Sequence, residues 1–227
     1  MRNSEERDLR QGLIYDPSVR GFDSSFWRGD TADITFDTVR NALEFGDTGL
    51  VGKASSLAQF LYGDFEFTVT VDSLSPDSND SSKYFGLRNA GDTLNRGAVY
   101  FDFSYDTLAT DSSPNVRPFS IVMWDETGTR QRKHITWDTD WGGLTAGNRF
   151  RIRWESDGYT FLVNDSVVGI LGDRPDGQTA TNQINTSIPQ ALRVVNTTVD
   201  TVDSSAMGLK LVNVRNSRMI WTGLTAL

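Results

Sequence analysis

The stretch RFRIRWESDGYTFLVNDSVV, Arg149 to Val168, decides the fold. Phe150, Ile152 and Trp154 alternate with Arg149, Arg151 and Arg153. That period of two belongs to a strand with one face on a core and the other in water. Glu155-Ser156-Asp157-Gly158 then supplies side chains that bond their own backbone and a glycine free to take positive φ, after which Tyr159, Phe161 and Val163 alternate again. The spacing predicts an antiparallel hairpin. Asn164-Asp165 opens a second turn ahead of Val167-Val168.

The same chemistry extends in both directions. Asp64 to Val71 gives the cleanest alternation, with Phe65, Phe67, Val69 and Val71 on one face and Asp64, Glu66, Thr68 and Thr70 on the other, and is predicted to be a core strand. Val99, Phe101 and Phe103 are predicted to face inward, leaving Tyr100, Asp102 and Ser104 on the opposite face. Further strands are expected at Ile34–Phe36, Ala42–Phe45, Tyr84–Arg88, Ser120–Trp124, the return through His134 to Trp137, Leu192–Val195 and Leu209–Val214. Ten or more short strands with regular turn signals predict an all-β chain, a two-sheet antiparallel sandwich or jelly roll. No repeat of propeller or solenoid period is present. Residues 1–12 are read as a polar arm and residues 13–227 as one domain.

The formal net charge of −8 repels phosphate backbones on average, so nucleic acid is not an expected partner. With no cysteine there is no disulfide, no thiolate nucleophile and no cysteine-ligated zinc. The sole histidine, His134, lies in the basic run Arg130-Gln131-Arg132-Lys133-His134, read as a solvated strand face with contact to an acidic partner as the sharper alternative. No apolar run reaches membrane-spanning length, and MRNSEERDLRQG carries charge where a secretory leader needs apolar residues. Sequons at Asn79, Asn164, Asn185 and Asn196 without such a leader fit a surface-type sandwich made in a host cytoplasm and carried on a virus particle. A virion location, with capsid proteins or a cell-surface glycan as partners and self-association as a further option, is therefore the expectation.

Tyr62-Gly63-Asp64-Phe65-Glu66-Phe67 and Phe150 to Asn164 resemble the "YGxFE" strand and the "Y-x-I-x-W-x-x-D-G-x-x-F-x-V-D-G" hairpin of the concanavalin A-like lectin and glucanase superfamily, the laminarinase-type glycosidases above all. The resemblance covers roughly residues 20 to 216 and implies two curved antiparallel sheets, with any glycan across the concave one. It also implies that the family's catalytic strand, Glu-x-Asp-x-Glu or Glu-x-Asp-x-x-Glu, falls on Gly97 to Asp106. With Asp102 at the central position, Tyr100 stands where the nucleophile should be, and Ser104 or Tyr105 where the acid/base should be. Asp102 and Asp106, four residues along a strand, would be ~13 Å apart, too far for either glycosidase mechanism. No catalytic residue is assigned, and the expectation is a non-catalytic structural or glycan-binding module. A hydrolase with relocated carboxylates, Asp64, Glu66, Asp138 or Asp140, is the alternative.

The ligand-site candidates are Trp137, Asp138, Asp140 and Trp141, where indoles could stack on sugar rings and carboxylates accept from hydroxyls, together with Tyr100 and Asp102. The competing reading is that the tryptophans pin a loop and the aspartates form turns. No cofactor is expected. Asp77 to Ser82 has oxygen ligands but lacks the glycine and distal glutamate of an EF-hand, so no metal ligand is assigned, and a structural calcium has no support in the sequence.

Overall fold

The computed structural model describes residues 13–29, 31, 34–45, 52–60, 64–71, 82–89, 97–104, 119–125, 127–143, 146–154, 158–172, 190–197 and 207–214. The elements are β1 (Leu13–Tyr15), helix α1 (Pro17–Arg20), β2 (Trp27–Arg28), β3 (Ile34–Asp37), β4 (Ala42–Phe45), β5 (Gly52–Phe60), β6 (Asp64–Val71) and β7 (Ser82–Asn89). They continue with β8 (Ala98–Asp102), β9 (Phe119–Trp124), β10 (Arg130–Ile135), β11 (Asn148–Trp154), β12 (Tyr159–Val163), β13 (Ser166–Leu171), β14 (Gln190–Thr197) and β15 (Met207–Val214). One sheet runs β13-β12-β11-β6-β15-β4-β3, with β1 also on β15, and the other runs β10-β9-β8-β7-β14-β5-β2. All their pairings are antiparallel.

The hairpin read first from the sequence is β11–β12, paired Phe150↔Val163, Ile152↔Phe161 and Trp154↔Tyr159. Asn164 and Asp165 take φ of 48° and 68°, the left-handed pair that a tight two-residue hairpin turn needs. The Asn164 amide oxygen accepts from the Arg149 backbone N–H at 2.9 Å and its amide nitrogen donates to Asn148 Oδ1 at 2.8 Å, so the turn is stapled to the start of β11.

Inward-facing rings of the two sheets meet edge to face. Phe85 contacts Phe150 and Phe101 contacts Phe161, each at a centroid distance of 5.1 Å. Such pairs contribute roughly 0.5–1.5 kcal/mol beyond their buried area. Val99, Phe101 and Phe103 are buried as the alternation requires. The sheets also close on each other at one edge: a Cβ on Gly169 of β13 would lie 2.5 Å from Ile121 Cδ1, so glycine permits β13 to run against β9. Lys133 Nζ donates to Val168 O at 3.3 Å across the same edge.

Three expectations need revision or placement. The nine-residue strand β5 carries no strand signal, because GKASSLAQF has neither alternation nor β-branched residues; it forms between β14 and β2 through its backbone. The polar face of β6 is not open: Glu66 and Thr70 are buried, with Glu66 opposite Arg151. Residues 1–12, the 155–157 turn, Tyr62-Gly63, Tyr105-Asp106, residues 77–81 and the sequons at Asn79 and Asn185 lie outside the described residues.

Candidate functional site

Alternation along β7, β8, β9, β10 and β14 sends one set of side chains into the core and the other to the outer face of the seven-stranded sheet. The register aligns these outward residues in three rows across the strands. The middle row is Arg132, Val122, Tyr100, Gly86, Arg193; one flank is Arg130, Trp124, Ala98, Arg88, Ala191; the other is His134, Ser120, Asp102, Tyr84, Val195.

Gly86 sets the floor. A Cβ there would fall 2.3 Å from Val99 O and 2.6 Å from Tyr100 Cα, so only glycine lets β8 lie this close. A shallow depression results, lined by Tyr84, Gly86, Arg88, Ala98, Tyr100 and Arg193. The Tyr84 and Tyr100 rings pack at 4.8 Å. Trp124 Nε1 donates to Tyr100 Oη at 3.0 Å. Burial pushes the Tyr100 phenol up to about 12 against the lowering effect of that bond, and burial raises Tyr84 too. Both phenols therefore stay protonated and can donate.

The guanidinium of Arg193 sits over Tyr84 at 5.2 Å, and that of Arg130 over Trp124 at 5.7 Å. Arg132 Nε donates to Ser120 Oγ at 2.9 Å, Ser120 Oγ is 3.0 Å from His134 Nδ1, and an Arg132 terminal nitrogen is 3.7 Å from Asp102 Oδ2. Asp102 Oδ1 accepts from Ser104 N at 2.9 Å. The β9–β10 turn that brings Arg130 and Arg132 onto this face is built by buried Asp125, which accepts from Thr127 N, Thr127 Oγ1 and Thr129 N at 2.7–2.9 Å.

The structure divides the six site residues expected from sequence into two groups. Tyr100 and Asp102 lie on the outer face just described. Trp137 and Trp141 instead pack against inward-facing Phe119 at 6.0 and 6.2 Å, and against each other at 5.2 Å. Trp137 Nε1 donates to Gly142 O, and Asp138 accepts from Asp140 N, capping the short 3-10 turn Thr139–Trp141. The Asp138 and Asp140 side chains are exposed on that turn. The sequence reading missed Tyr84, Trp124, Arg88 and Arg193, whose signal was the two-residue spacing Tyr84-x-Gly86-x-Arg88 and Val122-x-Trp124 in register with Tyr100. Among the described residues no group of three or more His, Asp or Glu is placed to hold a metal ion, and no helix is long and apolar enough to cross a membrane.

No family model and no curated protein matches the sequence. Solved structures do match. A Crh5 transglycosylase in complex with NAG superposes with a TM-score of 0.64 at 14% identity, over 92% of this chain and 87% of that one. The laminarinase catalytic domain from Thermotoga maritima MSB8 gives 0.59 at 11% identity, over 89% and 96%. A glycoside hydrolase family 16 endo-glucanase from Bacteroides ovatus, in complex with G4G3G-2F-DNP, gives 0.56 at 12%, over 88% and 99%. The identities are low and the shared feature is the arrangement of strands. The chain thus has the two-sheet jelly-roll fold of these solved structures.

Proposed function

We propose that this chain binds a glycan across the outer face of the seven-stranded sheet and leaves it uncleaved. The observation that carries the reading is the set of half-buried rings Tyr84, Tyr100 and Trp124 around the depression on the outer sheet face, with protonated phenols and bonded polar groups among them. Flat rings take the apolar faces of sugars, and hydroxyl and guanidinium donors orient them. The structural neighbours are named as transglycosylases and glucanases, which supports a carbohydrate ligand.

Hydrolysis needs two carboxyl groups flanking the scissile bond, about 5 to 9.5 Å apart. The outward positions of β7 to β10 and β14 carry one carboxylate, Asp102, and it is engaged by Ser104 and Arg132. A hydrolase with relocated carboxylates would draw on Asp64, Glu66, Asp138 or Asp140. Of these, Glu66 is buried on the other sheet and Asp138 caps its own turn, which favours the binding reading. In the particle setting expected from the sequence, retention of an uncut glycan is what such a module would contribute.

Titration of the protein with a panel of oligosaccharides, with reducing ends assayed in the same wells, tests this. Saturable binding without new reducing ends is expected. New reducing ends from the purified protein, or no binding by any sugar, would overturn it.

A further inference from the structure

We propose that Gln131 and Lys133 of β10 form a clasp over β13 that keeps this strand from pairing with β13 of a second copy of the chain. Among the described residues, β13 ends the eight-stranded sheet and β10 ends the seven-stranded one. An end strand offers backbone N–H and C=O groups to any strand that arrives. The sequence of β13, Ser166-Val167-Val168-Gly169-Ile170-Leu171, carries no charge and no proline, and three of its six residues are β-branched. Segments of that kind pair readily with their own copies. Val167 and Ile170 stand 60% and 50% exposed, opposite Leu162 and Thr160 on the outer face of their sheet. Of the exposed large apolar side chains among the described residues, these are the two on a strand. Antiparallel pairing about a two-fold axis is self-complementary, so the partner such an edge selects is another β13.

The clasp comes from the facing sheet. The β12–β13 register shifts between Phe161, opposite Gly169, and Leu162, opposite Val167, so Val168 is the extra residue of a bulge. Lys133 Nζ donates to the Val168 carbonyl at 3.3 Å. The lysine stem lies along Gly169: a Cβ there would sit 3.2 Å from Lys133 Cδ and 3.3 Å from Nζ, so glycine leaves the room that the lysine uses. Gln131 Oε1 accepts from the Gly172 backbone N–H at 2.9 Å, just past the end of β13. Alternation along β10 selects these two residues. Arg130, Arg132 and His134 line the outer face, while Gln131 and Lys133 point toward the other sheet, where a core strand would carry apolar side chains. One backbone acceptor and one backbone donor at β13 are thereby used inside the molecule. An ammonium also stands at the rim, and an incoming strand would have to strip its water.

Size-exclusion chromatography with light scattering on the intact chain, across a wide range of concentration, tests this with Lys133→Ala and with Gln131→Ala/Lys133→Ala. The wild type is expected to stay monomeric, and the double variant to reach at least double the wild-type mass as concentration rises. Losing Lys133 makes a chain of net charge −8 more negative, which opposes association, so a gain in mass is not a charge effect. Adding Ile170→Lys to the double variant should return it to the wild-type mass, because a lysine on β13 blocks the edge from its own side. Circular dichroism melts establish that the variants are folded. Lys133 is exposed, so the single variant keeps the fold and should show the same gain more weakly. Should the double variant not fold, the single one decides on the same criteria. A folded variant that stays monomeric overturns the inference, and so does association that Ile170→Lys leaves in place. A wild type that itself associates and is dispersed by Ile170→Lys also overturns it. None of these results depends on whether a glycan binds.

Discussion

Trp124 Nε1 donates a hydrogen bond to Tyr100 Oη at 3.0 Å, tying diagonal neighbours on adjacent strands β8 and β9 across the outer face. The bond uses the phenol oxygen as an acceptor, and the hydroxyl proton remains available as a donor. In the resemblance read from the sequence, Tyr100 is the residue aligned with the glycosidase nucleophile. A phenol pushed up to about 12 by burial is a hydrogen-bond donor at any ordinary pH.

That shift has a signed consequence for stability. The unfolded phenol ionises near pH 10 while the folded one keeps its proton to about 12, so the folded state binds more protons in between. The Tyr100 contribution is fully present below pH 10 and is lost as pH rises toward 12, on the order of 2 kcal/mol. Urea melts at pH 9 to 12 should show a steeper alkaline loss in the wild type than in Tyr100→Phe. Equal slopes would contradict the buried-phenol assignment.

Gly86→Ala introduces a methyl 2.3 Å from the Val99 carbonyl oxygen, a backbone atom that cannot swing aside. Its cost should be about 1–3 kcal/mol, the range for overpacking, measured as a lower denaturation midpoint at unchanged m-value. A neutral effect would mean that β7 and β8 lie farther apart than a 2.3 Å approach implies.

Asp102→Asn removes the carboxylate beside Arg132 and keeps an acceptor for Ser104 N. Because Asp102 is buried beside Arg132, the exchange should cost about 1–3 kcal/mol of stability, read as a lower denaturation midpoint. Unchanged stability with weaker oligosaccharide binding in calorimetric titrations would instead make Asp102 a direct sugar ligand.

Trp141→Ala removes a ring packed against Phe119 and Trp137. Because the ring is half-buried, a stability loss of about 2 kcal/mol is expected, below the full-core range, with glycan affinity unchanged. Paired thermal melts and sugar titrations of the variant check both halves of this expectation.

The fold was legible because its strongest signals are local. The alternation from Phe150 to Trp154, the Asn164-Asp165 turn and the run from Phe65 to Val71 each declare a strand or a turn from neighbouring residues alone. Strand β5 escaped because its pairing uses backbone groups that any sequence carries. The site was legible only in part. Tyr100 and Asp102 emerged from the resemblance, but Tyr84, Trp124, Arg88 and Arg193 join them through strand order, above all the insertion of β14 between β7 and β5. No local pattern encodes that order. The Trp137 and Trp141 pair looked ligand-like because adjacent indoles and carboxylates read alike whether they face a sugar or close a core. Side-chain direction separates the two cases, and here the rings reach Phe119.

The most direct measurement follows the six tryptophan indole N–H resonances by two-dimensional NMR while the tightest-binding oligosaccharide of the panel is titrated in, with Trp124→Phe used to assign Trp124. The account predicts a saturable shift of the Trp124 resonance while those of Trp137 and Trp141 stay in place. Movement of the Trp137 and Trp141 resonances with Trp124 unmoved would put the ligand on the loop and contradict it.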